Sequence, residues 1–144
     1  MYRKLAIAIT INAVIMYLIT YVMVDKFENV YLNINRAYMA LMMVAPMVVV
    51  MLLVMRSMYE NKRLNYVLVA ASAGLFVLCF ALARTQTPVG DDQFLRSMIP
   101  HHSSAVLMCR ESELTDPEII KLCGQIVKSQ EEEIAQMKAI LARH

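Results

Sequence analysis

One short segment, SMIPHHSSAVLMC from Ser97 to Cys109, concentrates the side chains that could do chemistry in this chain. It holds two of the three histidines of the protein, together with two methionines and a cysteine. The potential metal donors in it are Met98, His101, His102, Met108 and Cys109. At about 100° per residue on a helix, these side chains fall within about one third of the circumference. The spacing therefore predicts a donor-rich helix face that packs inward.

The donor types in this segment indicate a soft metal. Thioether, thiolate and imidazole groups together are the ligands that select Cu(I) over harder cations. Ferritin-like di-iron bundles instead present Glu-x-x-His on facing helices. Here the corresponding spacing is Met98-x-x-His101, with sulfur in place of a carboxylate. This difference favours copper or silver over iron, with Cu(I) as the expected ion.

Two other interpretations of the same residues remain open. Buried histidines are often hydrogen-bonded core residues, and methionines commonly fill gaps in a core, so plain packing is one of them. Acid–base catalysis is the other. The sequence has no nucleophile with a paired base, no phosphate-binding loop and no CxxCH haem motif, so we expect that the protein is not an enzyme.

The elements that must position this segment begin with three uncharged stretches, each of about 20 residues, at 5–24, 37–55 and 64–83. Each is long enough to cross a hydrocarbon core of about 30 Å. Charged residues bracket each stretch, and tyrosines lie near the ends, as is typical of membrane interfaces. The first apolar run is too long for a signal peptide, and no small-residue cleavage site follows it. The sequence therefore predicts an all-α protein with a three-helix membrane domain at 1–84.

The distribution of charge predicts the orientation and excludes one class of partner. Loops on the side of the N-terminus carry five Lys and Arg residues, and the opposite side carries three. This bias predicts a cytoplasmic N-terminus, and three spans then place the tail outside the cytoplasm, on the periplasmic side of a bacterial inner (cytoplasmic) membrane. Membrane lipid is the expected partner of the three-helix domain. Residues 91–144 hold six basic against nine acidic residues, a balance that argues against nucleic-acid binding.

The tail, after a linker at 85–90, is predicted to be a helical hairpin at 91–144. Asp91 or Asp92 can cap its first helix, which would run to about Glu113. Pro100 predicts either a kink within this helix or a later start. Thr115 is the expected cap of the second helix, in a capping box with Glu118. The second helix has an apolar seam spaced by three and four residues. Its members are Ile120, Cys123, Val127, Gln130, Ile134, Met137 and Leu141.

A two-helix hairpin buries little surface, so it is expected to need a further partner. A second copy of the hairpin would complete a four-helix bundle, which makes a homodimer or higher homo-oligomer the expected assembly. Docking of the hairpin on its own membrane helices is the alternative.

The segments FLRSMIPHHSSAVLMC and TDPEIIKLCGQIVKSQEEEIAQMKAIL carry a family pattern. They contain Met-x-x-His-His, Asp-Pro-Glu and Gln-x-x-Glu-Ile, and the chain resembles the DUF305 family over about 91–144. The resemblance implies a ferritin-like helical bundle and, as in several periplasmic members, a role in copper binding and tolerance. Many members carry two hairpins and this chain carries one, which strengthens the expectation of a dimer. The resemblance implies as ligands Met98, His101, His102, Met108 and Met137, with Gln130 and Glu133 as motif residues of unassigned role.

The expected turn near Leu114 or Thr115 sets a register for the hairpin. It places His101 opposite about Lys128 and Met98 opposite about Glu131. Met137 would then lie about 9 Å further along the axis, so several sites or ligands from different copies are expected.

The same register bears on three further residues. Gln130 lies at the level where it could hydrogen-bond a histidine ring from the second coordination shell. Cys109 is expected to face Ile120, about 4.5 Å along the axis from Cys123. This offset favours metal ligands or free thiols over a disulfide, which stays open.

Two questions on function remain at this stage. The second span carries methionines at every fourth position, which is either packing or a soft-metal track; they are Met39, Met43, Met47, Met51 and Met55. The leading hypothesis is a membrane-anchored, extracytoplasmic copper- or silver-binding protein for sequestration, delivery or sensing, with a possible metal-handling partner protein. The alternative is a structural or assembly protein whose hairpin mediates oligomerisation without metal.

Overall fold

The computed structural model describes residues 1–144 and contains five α-helices and no strand. The prediction of an all-α fold is therefore confirmed. Short 3₁₀ turns lie at Phe27–Asn29 and Arg56–Met58. The helices in chain order are α1 (Tyr2–Ile19), α2 (Ile34–Val54), α3 (Lys62–Thr85), α4 (Asp91–Glu111) and α5 (Pro117–Leu141).

The first of two compact units comprises residues 1–20 and 35–88, with α1, α2 and α3. These are the three helices that are long and apolar enough to cross a membrane, as the uncharged stretches predict. Apolar side chains on their outer surfaces are exposed, as expected for faces that lipid would cover. The buried core of this unit consists of Leu5, Val44, Val48, Leu52 and Tyr59.

The methionine stripe of α2 divides into two parts. Met47, Met51 and Met55 pack against the core of the first unit. Met39 and Met43, nearer the start of the helix, are 52% and 43% exposed. Three of the five methionines are thus partly buried packing residues, so packing accounts for that part of the stripe.

The second unit comprises residues 21–34 and 89–144, and the hairpin of α4 and α5 forms most of it. α4 begins at Asp91 after Gly90 as the N-cap, so the prediction that an aspartate caps this helix is wrong. Asp91 and Asp92 instead lie in the first turn, where negative charge is favourable at the positive end of the helix dipole. Pro100 lies inside the continuous helix and is fully buried.

The start of α5 lies one residue later than the predicted cap. Asp116, not Thr115, is the N-cap, and its side chain accepts hydrogen bonds from the backbone N–H groups of Glu118 (2.8 Å) and Ile119 (3.2 Å). Pro117 follows at the first helical position, where its missing N–H costs nothing. Asp116 as the cap and Pro117 as the first helical residue together define the start of α5.

A feature that the sequence did not predict is the role of residues 21–34, the segment between α1 and α2. The segment packs against α4 within the second unit. The fully buried Oγ of Ser103 accepts hydrogen bonds from the backbone N–H of Asp25 (3.0 Å) and from Nδ2 of Asn29 (3.1 Å). Arg110 bridges Asp25 at 2.9 Å and Glu131 at 2.6 Å. The hairpin is therefore covered on one side by part of its own chain.

Candidate metal site

The register of the hairpin decides which donors meet, and it differs from the prediction. His102 lies beside Glu133, and Cys109 is bonded to Cys123. The predicted positions of His101 opposite Lys128 and of Met98 opposite Glu131 are wrong. The reason lies in Ser112–Asp116, whose end residues have extended backbone, so that the connection carries the chain past the end of α4 before α5 begins. An extended residue advances the chain about twice as far as a helical one.

α4 presents two parallel lines of side chains at steps of four and three residues, the spacing of helix packing. The inner line packs in the hairpin; it consists of Leu95, Ile99, His102, Val106 and Cys109. The outer line is exposed or half-buried; it consists of Phe94, Met98, His101, Ala105 and Met108. The two adjacent histidines are thus separated, with His102 inside and His101 exposed.

His102 is the buried titratable group of the site. Its Nδ1 lies 3.1 Å from Oε2 of Glu133, although the ring N–H direction is off line for a hydrogen bond. Burial lowers the pKa of His102; the Glu133 carboxylate opposes this effect, and nearby His101 adds to it. The lowered pKa favours a neutral imidazole at pH 7, and the neutral ring is the form that binds metal ions.

Glu133 is held from a second side. Its Oε1 accepts a hydrogen bond of 2.9 Å from Oγ of Ser129, one helical turn earlier on α5. A chain of polar contacts therefore runs from Ser129 through Glu133 to the ring of His102. Of the two motif residues whose role was unassigned, Glu133 is the one that the structure shows in contact with a histidine.

Met98 and Met137 belong to one apolar cluster, contrary to the expected separation along the hairpin. Leu95, Ile99, Ile134 and Met137 are buried together, and Met98 packs against them. Met137 therefore has the surroundings of a packing residue. Met98 lies at the edge of the cluster, half-buried, one turn before His101.

Met108 lies apart from the other donors of α4. It is 58% exposed and seven residues beyond His101, which corresponds to about 10 Å along the helix axis. Within one chain the structure therefore places Met98, His101 and His102 on one turn and does not bring Met108 to them.

Cys109 and Cys123 form a disulfide with a Cα–Cα distance of 5.3 Å. The expectation that these two residues are metal ligands or free thiols is wrong, because a disulfide offers no thiolate. The predicted axial offset from Cys123 came from the same error in register. Cys79, in α3, is the free cysteine of the chain.

The donors on this turn of α4 differ in type from those of zinc sites and of sites for harder cations. The structure contains no group of three His, Cys, Asp or Glu side chains that could hold a metal ion. Such groups describe sites for zinc or for harder cations. The thioether of Met98 with the imidazoles of His101 and His102 is instead a neutral, soft set that suits a monovalent soft cation.

The protein combines three candidate membrane-spanning helices with a helical hairpin that a disulfide crosslinks. The family model described as "Domain of unknown function (DUF305)" matches residues 79–141. The Uncharacterized protein L153 of Acanthamoeba polyphaga mimivirus is 32% identical over 119 residues, which cover 81% of this chain and 76% of that protein. The chain belongs to the DUF305 family. No solved structure matches it at a significant level.

Proposed function

We propose that the protein binds a soft monovalent metal ion, Cu(I) or Ag(I), on the hairpin that follows its membrane helices. The observation that carries this proposal is the placement of Met98, His101 and His102 on one turn of α4, with a carboxylate beside Nδ1 of His102. A carboxylate at one ring nitrogen favours the proton there and leaves Nε2 free to donate to a metal. The metal is cargo in this proposal, bound for sequestration, delivery or sensing, and no catalytic step is involved.

The proposed location is the extracytoplasmic side of a membrane, with the N-terminus in the cytoplasm. Two observations support it. The Lys and Arg residues of the short loops favour the N-terminal side as cytoplasmic. The disulfide between Cys109 and Cys123 fits an oxidising compartment, where such bonds persist.

A second candidate function is assembly without metal. It is favoured by the contact between His102 and Glu133, which is also what a purely structural histidine makes. Under this alternative, replacement of His102 changes the stability or the oligomeric state of the protein, and soft metal ions change neither.

Titration of the full-length protein in detergent with Ag(I) separates the two functions. Ag(I) shares the soft preference of Cu(I) but requires no reductant, so the disulfide stays intact. We expect the combined variant Met98→Leu, His101→Gln, His102→Gln to bind Ag(I) about a hundredfold more weakly than the parent, or about 2.7 kcal/mol. A chromophoric competitor gives both affinities.

The matched control alters a histidine and a methionine elsewhere. His144→Gln with Met58→Leu changes the third histidine of the chain and an exposed methionine, and it should leave Ag(I) affinity unchanged. Equal affinity of the parent and the combined site variant, with both proteins folded, would refute metal binding at this site.

A further inference from the structure

The outer line of α4 (Phe94, Met98, His101, Ala105 and Met108) is the more exposed face of this helix, and on it only Met98 packs at the edge of the apolar cluster of the hairpin. The inner line of the same helix packs in the hairpin, and the fully buried Pro100 and Ser103 mark a further covered side. Phe94 is 51% exposed and Met108 58% exposed, so two large apolar side chains lie at the two ends of the outer line. These two residues are about 21 Å apart along the axis, which is the length of a substantial helix contact.

The outer line carries no charge. No Lys, Arg, Asp or Glu lies on it, and the residues beside His101 on the free side are small, Ser97 and Ser104. An exposed helix face is normally rich in charged residues. A neutral face with small flanking residues allows a second helix to approach closely, and two identical copies of it meet without repulsion between like charges.

The donors on this face are incomplete for a metal ion in one chain. Met98 and His101 are one turn apart, and no third donor of the outer line reaches them, because Met108 is about 10 Å further along. The donors of one chain therefore approach an ion from one side only. A residue beside a two-fold axis meets its own copy, so a second chain docked on this face supplies the same donors from the opposite side.

We infer that the outer line of α4 is the contact surface for a second copy of this chain, whose Met98 and His101 complete the soft-metal site. The inference rests on the proposed function. It adds that the partner is a second copy of the chain and that the two histidines have different roles. His101 meets the partner copy, and His102, held beside Glu133 in its own hairpin, donates to the same ion through Nε2. The expected stoichiometry is one ion for every two chains.

The test uses the full-length protein in detergent and two substitutions that leave every donor in place. Ala105→Arg puts a charge in the middle of the face, and Phe94→Glu puts one at its end, where the parent side chain is already half-exposed and folding is not at risk. Light scattering gives the mass of the protein, and Ag(I) titration gives stoichiometry and affinity. Leu122→Arg, at an exposed apolar position of α5, is the matched control.

We expect the parent and Leu122→Arg to be dimers that bind one Ag(I) per two chains. Both face variants should be monomers with at least about tenfold weaker Ag(I) binding. A monomeric parent that binds one ion per chain, with unchanged affinity in both face variants, would overturn the inference and leave the proposed function standing. A dimer that Phe94→Glu separates but that binds no ion would refute the proposed function and leave the contact surface in place.

Discussion

Replacement of Glu133 by glutamine is expected to weaken Ag(I) and Cu(I) binding about ten- to a hundredfold, although Glu133 is not itself a proposed ligand. The carboxylate lies 3.1 Å from Nδ1 of His102 and is held in place by Ser129. Its negative charge favours the tautomer with the proton on Nδ1 and increases the basicity of the opposite nitrogen. Glutamine keeps the shape of the side chain but removes the charge, so the ring loses both effects.

The neighbouring glutamate provides the control for this prediction. Glu132 is exposed, and Glu132→Gln changes the net charge of the hairpin by the same amount as Glu133→Gln. Equal affinities for the two variants would mean that the contact between Glu133 and His102 does not act on the metal. The tautomer of His102, read from nitrogen chemical shifts without metal, should change only in Glu133→Gln.

Removal of the disulfide is expected to have the largest effect on stability. Cys109 and Cys123 are 14 residues apart in the chain, and a crosslink that closes a loop of this size contributes about 3 kcal/mol to the free energy of unfolding. The double variant Cys109→Ala, Cys123→Ala should lose about this amount in denaturant titrations that follow the hairpin. It should keep its affinity for Ag(I) under conditions where it remains folded, because the cysteines are not ligands.

Counting of thiols tests the disulfide without any substitution. Unfolded protein that has not met a reductant should react with one equivalent of a thiol reagent, at Cys79, and with three equivalents after reduction. Three reactive thiols before reduction would contradict the disulfide. In that case the earlier expectation of cysteine ligands would return.

The membrane helices could be predicted because their signal is local. The length and the hydrophobicity of each uncharged stretch of about 20 residues are enough to predict a membrane span, without knowledge of contacts to distant residues. The structure shifts the first of them toward the N-terminus, with α1 at Tyr2–Ile19 where 5–24 was predicted. The charged Arg3 and Lys4 thus belong to the helix, and hydropathy alone does not mark such an end.

The register of the hairpin could not be predicted because it depends on the path of five connecting residues. Assuming a tight turn at Leu114 or Thr115 displaced every residue of α5 relative to α4. The connection from Ser112 to Asp116, which is extended at both of its end residues, brings Glu133 to His102 and Cys123 to Cys109. The preference for metal ligands or free thiols at Cys109 and Cys123, and the expected axial separation of Met137 from Met98, were therefore wrong for one shared reason.

The donor face was predicted only in part. Periodicity placed Met98, His101 and His102 on one arc of α4, and the structure keeps them on one turn. It separates them by burial, since His102 lies in the hairpin and His101 in solvent. A difference of one residue is about 100° on a helix, enough to place neighbours on different surfaces.

The covering segment at residues 21–34 had no signal that a single sequence could reveal. Its polar side chains are visible between the first two spans, but their partners lie far along the chain. Asn29, for example, meets Ser103, 74 residues later. Contacts of this range follow from tertiary packing and leave no periodic pattern in either segment.

X-ray absorption spectroscopy at the copper edge of the full-length protein loaded with Cu(I) tests the central claim most directly. The measurement identifies the atoms around the ion. We expect a mixed first shell of imidazole nitrogen and thioether sulfur, with the sulfur contribution lost in Met98→Leu and the imidazole contribution reduced in His101→Gln. Copper that is not retained, or a shell of light atoms that neither substitution changes, would contradict a soft-metal site on this turn of α4.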